Sequence, residues 1–121
     1  MIGSLRGKVL FKEGSRLIID VSGVGYRVLA SQKVLAKSKV GDQIFLYIYT
    51  HVKEEALELL GFEEPEDLRL FENLLTVAGI GPKTAMSVFS FSDRDGIVNA
   101  VLKGDVDFFT AVPRLGHYNR A

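Results

Sequence analysis

The sequence has no cysteine, no tryptophan and only two histidines, His51 and His117. Without cysteine there is no disulfide framework, no thiol nucleophile and no Cys-based zinc site. Two histidines far apart in sequence offer no local motif for a metal or for general-base catalysis. No cofactor is implied. Apolar runs long enough to span a bilayer are missing, as is the apolar stretch of a signal peptide. The expected address is therefore cytoplasmic, with no membrane contact. Net charge is missing as well, with 15 Lys and Arg set against 15 Asp and Glu.

What is present is unevenly distributed. Residues 1–53 carry nine Lys or Arg and three Asp or Glu, a balance of +6; residues 54–75 carry one and eight, a balance of −7. The remainder is close to neutral. A basic first part points to a polyanionic partner more strongly than the zero total suggests. Hydrophobic residues make up 47% of 121 residues, enough to fill one ordinary domain or two small ones.

The first sixty residues read as short strands separated by turns. Leu5 to Lys12 leads into Glu13-Gly14-Ser15, and Arg16 to Val21 into Ser22-Gly23-Val24-Gly25. Tyr26 to Ala30 forms a third strand. Ser31 caps a short helix to Lys37 with Val34 and Leu35 facing inward. Gln43 to Val52 and Ala56 to Phe62 complete the set. Three strands, a helix and two strands is the element order of an OB-fold barrel. In the longest strand Ile44, Leu46 and Ile48 alternate with Phe45, Tyr47 and Tyr49, so both faces are apolar and cover on both sides, packing between subunits included, is expected. The competing use of that aromatic row is base stacking, but no basic residue interrupts residues 44–50.

From Pro65 the apolar period lengthens to that of a helix. Leu68, Phe71, Leu74 and Leu75 form one stripe, Ala85, Val88 and Phe89 the next. Ile97, Val98, Val101 and Leu102 mark a further helix between Ser92-Asp93 and the stop at Gly104, and Asp105 begins a short one through Phe108-Phe109. Between the first two stripes lies Val77-Ala78-Gly79-Ile80-Gly81-Pro82-Lys83-Thr84. Gly79 and Gly81 are expected to supply positive φ, Ile80 to plug the gap between helices, and Pro82 to take the first helical position. The free amides of that helix start, with Lys83, make an anion site that grips a backbone phosphate without reading bases. This is a helix-hairpin-helix pattern. The segment lacks the spaced glycines and preceding strand of a nucleotide-binding P-loop. A plain structural turn is the alternative that the segment alone leaves open.

A weak repeat at an offset of 35 sets Phe71, Leu74 and Val77 against Val106, Phe109 and Val112, and Ile80-Gly81 against Leu115-Gly116. A second hairpin is then expected around Val112 to His117, incomplete because only five residues follow Gly116. The predicted organisation is β then α: an OB-fold barrel over residues 1–63 and a helix-hairpin-helix domain over residues 64–121.

Several stretches carry a family resemblance. They are Met1-Ile2-Gly3-Ser4-Leu5-Arg6-Gly7, Gly23-Val24-Gly25-Tyr26, Thr50 to Ala56, Leu60-Gly61-Phe62, Leu70-Phe71 and Gly79-Ile80-Gly81-Pro82-Lys83. Together they resemble the RuvA family of bacterial Holliday-junction-binding proteins over essentially the whole chain. The resemblance implies a non-catalytic homotetramer holding four-way junction DNA open on a flat basic face, while a separate RuvB-type ATPase drives the branch point. It implies a backbone grip by Gly79, Ile80, Gly81, Lys83 and Thr84, a second by Leu115, Gly116 and His117, and strand guidance by Lys53. It places the family's acidic pin on Glu54 and Glu55. Family members continue into a third domain that engages the ATPase. The expectation for the present chain is weak junction binding without that coupling. The rival functions are a general DNA-binding scaffold and a structure-selective nuclease, the latter requiring converging carboxylates around a metal.

Overall fold

In the computed structural model, residues 1–104 and 107–108 are described. Two compact units emerge, Met1–Leu68 and a second beginning at Arg69. No helix among the described residues is long and apolar enough to cross a membrane.

The first unit is a closed five-stranded barrel in the order β1-β2-β3-β5-β4, with β1 at Ser4–Glu13, β2 at Arg16–Val21, β3 at Val24–Ala30, β4 at Gln43–Val52 and β5 at Leu57–Phe62. The short helix α1, Gln32–Lys37, lies between β3 and β4. All pairings are antiparallel except β3 with β5. Turn chemistry sets the first two hairpins. Ser22 and Gly23 both adopt positive φ between Val21 and Val24, as a two-residue type I′ loop demands, and Asp20 accepts the Gly23 N–H at 2.9 Å. Ser31 caps α1 by accepting the Val34 N–H, and Val34 and Leu35 are buried as expected.

Closure depends on β1 serving two neighbours. Its first half pairs with β4, from Ser4–Tyr47 to Lys8–Gln43, and its second half with β2, from Lys8–Asp20 to Glu13–Arg16. The strand changes partner at Lys8, just after Gly7, where a Cβ would run into the backbone carbonyl of Asp20. Only glycine permits that approach. A register shift between Val9 and Phe11 bends the strand further round. Inside, Leu5, Val9, Leu17, Ile19, Val28 and Leu46 form the heart of the core. Outside, Phe45, Tyr47 and Tyr49 are half-covered or exposed, so the single chain by itself fully covers only the inner face of β4. Arg6, directly opposite Phe45 in register, places its guanidinium 5.0 Å from the ring centroid. The basic partner of this aromatic row comes from the neighbouring strand, where a search along β4 alone does not find it.

The second unit takes in most of α2, Pro65–Leu74, with α3 at Pro82–Phe91 and α4 at Arg94–Lys103. Phe71, Leu74, Met86, Val88 and Ile97 are its largest fully buried side chains among the described residues. Residues 85 to 89 of α3 are buried without interruption, adding Met86 and Ser87 to the expected stripe. A helix enclosed on this many sides loses its amphipathic signature. Ser87 satisfies its hydroxyl by donating to the Lys83 carbonyl at 3.0 Å. Asp93 caps α4 by accepting the Gly96 N–H at 2.8 Å, and Gly104 ends it in the left-handed region. The helix marked by Ile97, Val98, Val101 and Leu102 is present; its buried residues are Ile97 and Ala100, while Val98, Val101 and Leu102 are exposed. Of the short helix expected after Gly104, only Asp107 and Phe108 are described; both are helical, and the Phe108 ring meets Phe91 edge-on.

Candidate nucleic-acid interface

The turn that joins α2 to α3 is longer than the sequence suggests. The helix ends at Leu74, and the chain unwinds through successive short-range bonds, Thr76 N–H to Asn73 C=O, Val77 to Leu74 and Ile80 to Val77, at 3.0–3.1 Å. Leu75 is therefore part of the turn and only half-buried. Gly79 takes φ +85°, the left-handed conformation expected of it. Gly81 does not: its φ of −98° and ψ of 178° are extended, because it serves as the N-cap of α3. Pro82 occupies the first helical position, where its missing N–H costs no bond. The first bond back along α3 is made by the Ala85 N–H to the Gly81 carbonyl, at 2.9 Å. The amides of Lys83 and Thr84 precede that bond, in the helix-start position where donors lack an intrahelical acceptor. Ile80 is half-buried, and Gly79 and Gly81 are exposed. No atom lies within 4 Å of a Cβ placed at either glycine, so the space over this turn is open.

Lys53, Glu54 and Glu55 come together elsewhere, at the end of the β4–β5 hairpin. The ladder runs from Tyr47–Phe62 to Val52–Leu57, and Lys53 N–H closes it by donating to the Ala56 carbonyl at 2.8 Å. Glu54 and Glu55 are thus the two tip residues of a minimal loop. Neither adopts positive φ, unlike the residues of favoured two-residue hairpins. Turn formation does not explain their presence. The β1 ladder stops at Tyr47 of β4, continued only by bonds of Gly3 to Ile48 and of Ile2 to Thr50. The β3 ladder stops at Leu59 of β5, so beyond Thr50 and Leu59 the hairpin end has no strand neighbour among the described residues. At 3.3 Å per residue it extends roughly 13 Å beyond the β3 pairing. Both carboxylates are exposed on that projection, while Lys53 is held at 3.0 Å from Glu58.

Leu115, Gly116 and His117, the expected second grip, lie outside the described residues. Among the described residues no three His, Asp or Glu side chains converge as a metal-binding set would.

Comparison with known proteins accords with both halves of this geometry. A family model described as RuvA N terminal domain matches residues 1–61, and one described as SAM-like Helix-hairpin-helix tandem matches residues 71–119, a span that includes both halves of the internal repeat. Similar curated proteins include one from Bdellovibrio bacteriovorus, 40% identical over 96% of the chain, and one from Halothermothrix orenii, 42% identical over 84%. A third, from Mycobacterium ulcerans, is 40% identical over 96%. Each is named "Holliday junction branch migration complex subunit RuvA". The chain spans 60%, 52% and 59% of their respective lengths. With a barrel of OB topology, a helix-hairpin-helix turn and a family match over its first 61 residues, the chain belongs to the RuvA N-terminal domain family.

Proposed function

We propose that the chain binds Holliday junctions without reading base sequence, as the DNA-binding part of a branch-migration complex in recombination and repair. It does no bond chemistry of its own; the motor is a separate RuvB-type ATPase, and four copies surround one junction. The turn at Gly79–Thr84 grips backbone phosphate through main-chain N–H groups and the Lys83 ammonium. A second grip is assigned to Leu115, Gly116 and His117.

The observation that carries the reading is the acidic tip. A protein that merely coats duplex DNA gains nothing by thrusting two carboxylates outward. In water each carboxylate repels a phosphate about 6 Å away by about 0.7 kcal/mol. Four such pairs at a crossing point hold strands apart and favour the open junction. The projecting hairpin and the exposure of Glu54 and Glu55 support this assignment. The relatives' names supply the junction itself.

The test is competitive gel-shift binding of a four-way junction against linear duplex of the same base composition, titrated with salt and without divalent metal. Preference for the junction by tenfold or more, about 1.4 kcal/mol, is the expected result. Equal affinity for both substrates would leave a general backbone-binding module and remove the junction assignment.

A further inference from the structure

Where the β3–β5 ladder ends, the two strands part. Their pairing covers only Val28–Leu59 to Ala30–Gly61, and a pocket of about 240 Å³ opens next to it, lined by Arg16, Arg27, Leu29, Leu57, Glu58 and Leu59. Its charges do not balance. Glu58 is shared between Arg16 at 3.5 Å and Lys53 at 3.0 Å, and its side chain is only 17% exposed. Arg27, on the exposed face of β3, makes no ion pair among the described residues. The lining thus sets one carboxylate against two arginines, and that carboxylate is also shared with Lys53 outside it. A self-contained ion-pair network would be neutral; the Arg16–Glu58–Lys53 network carries one positive charge in excess, and Arg27 in the same pocket adds a second.

We propose that this pocket is a phosphate site, occupied by a backbone phosphodiester of the bound DNA, with Arg16 and Arg27 as its ligands. The inference rests on the proposed junction-binding function and adds to it a barrel contact separate from the helix-hairpin-helix turn. Guanidinium groups present paired N–H donors that match phosphate oxygens. Leu29 and Leu59, both buried, belong to the apolar part of the lining. Glu58 holds Arg16 in place and sets the strength of the site, since it competes with the incoming anion for the same guanidinium. The pocket also lies at the root of the acidic hairpin, tied to it through Lys53 and Glu58. A strand turned away by the tip has a cationic seat at its base.

The test compares the wild-type chain with the double variant Arg16→Gln, Arg27→Gln and with Glu58→Gln. The readout is four-way-junction affinity across a salt series, with thermal melts to verify folding. The double variant is expected to bind more weakly, its slope of log affinity against log salt being shallower by about 0.9 for each phosphate lost. Glu58→Gln frees both cations and is expected to tighten binding by about two- to fivefold, the range of one partly exposed ion pair. This opposite sign decides the matter even if the double variant fails to fold. Unchanged slope in the double variant, or weaker binding by Glu58→Gln, overturns the proposal. Inorganic phosphate is titrated in parallel, followed by the Arg16 and Arg27 Nε resonances. Saturation there with an unchanged junction slope assigns the pocket to a free small anion and overturns the backbone assignment. A change in oligomeric state with unchanged slope assigns it to a second copy of the chain and also overturns it. A wild-type chain that binds no DNA overturns this proposal and the proposed function together; an altered variant alone bears only on the pocket.

Discussion

Two glycines separated by one residue have different jobs, and substitution separates them. Gly79 sits at φ +85° with no atom near its missing Cβ, so alanine there costs backbone energy alone. The expected loss is about 1–2 kcal/mol of stability in the helical unit, measured by chemical denaturation. Gly81 is extended, and alanine fits its backbone without strain. Its cost is that of a poorer N-cap, under about 1 kcal/mol. The fold has little need of glycine at Gly81, but a phosphate approaching the amides of Lys83 and Thr84 does. Gly81→Ala is therefore expected to lose about tenfold or more in DNA affinity, the worth of a hydrogen bond to a charged acceptor, while melting close to wild type. If Gly81→Ala binds DNA normally, the turn is structural and the grip lies elsewhere. The sequence reading gave both glycines positive φ. Spacing shows that a turn occurs between two helices, and it does not show which glycine bends the chain and which caps the next helix.

At the level of elements, most of the fold was legible because its punctuation is chemical. Gly14-Ser15, Ser22-Gly23, the Ser31 cap, Asp93 and Gly104 each mark a boundary where the structure places one. Legibility failed where burial depends on neighbours distant in sequence. The enclosed α3, the inward Leu70 of α2 and the exposed side of α4 follow from tertiary packing rather than from the period of the apolar residues. The acidic hairpin was legible only as two adjacent acids. Its projection depends on where the β1 and β3 ladders stop, which a single strand's sequence does not encode. Replacing Glu54 and Glu55 by Gln tests that element as a unit. Both residues are exposed at a loop tip, so stability should change by no more than about 0.5 kcal/mol. Junction affinity should hold or rise as repulsion is removed, linear-duplex affinity should stay unchanged, and fluorescence energy transfer between junction arms should report a less open crossing. A tenfold fall in junction affinity would mean that the carboxylates make attractive contacts, which ends the pin assignment.

Over the whole molecule, zero net charge conceals a division of labour among the acids. Glu66 and Asp67 lie in the first turn of α2, where the helix dipole favours them. Glu63 pairs with Lys37 at 3.2 Å, and Glu58 with Arg16 and Lys53. These acids have local structural partners. Glu54 and Glu55 are different, since no ion pair among the described residues holds either of them. Much of the −7 segment therefore serves the fold, and of the nine basic residues in positions 1–53 only Arg16, Lys37 and Lys53 are ion-paired among the described residues. The groups proposed to meet DNA are main-chain N–H groups, Lys83 and the two pocket arginines, all suited to phosphate oxygens that every sequence presents alike. Junctions of one geometry with their arm sequences permuted should accordingly bind with dissociation constants within about threefold of one another. A protein that reads bases loses about 1–3 kcal/mol for each mismatched pair, which would spread the permuted set over tenfold or more. Such a spread would require side chains in a groove, and neither the Gly79–Thr84 turn nor the barrel pocket supplies them. A flat response with a steep salt dependence is what the proposed grip on phosphates at any crossing point predicts.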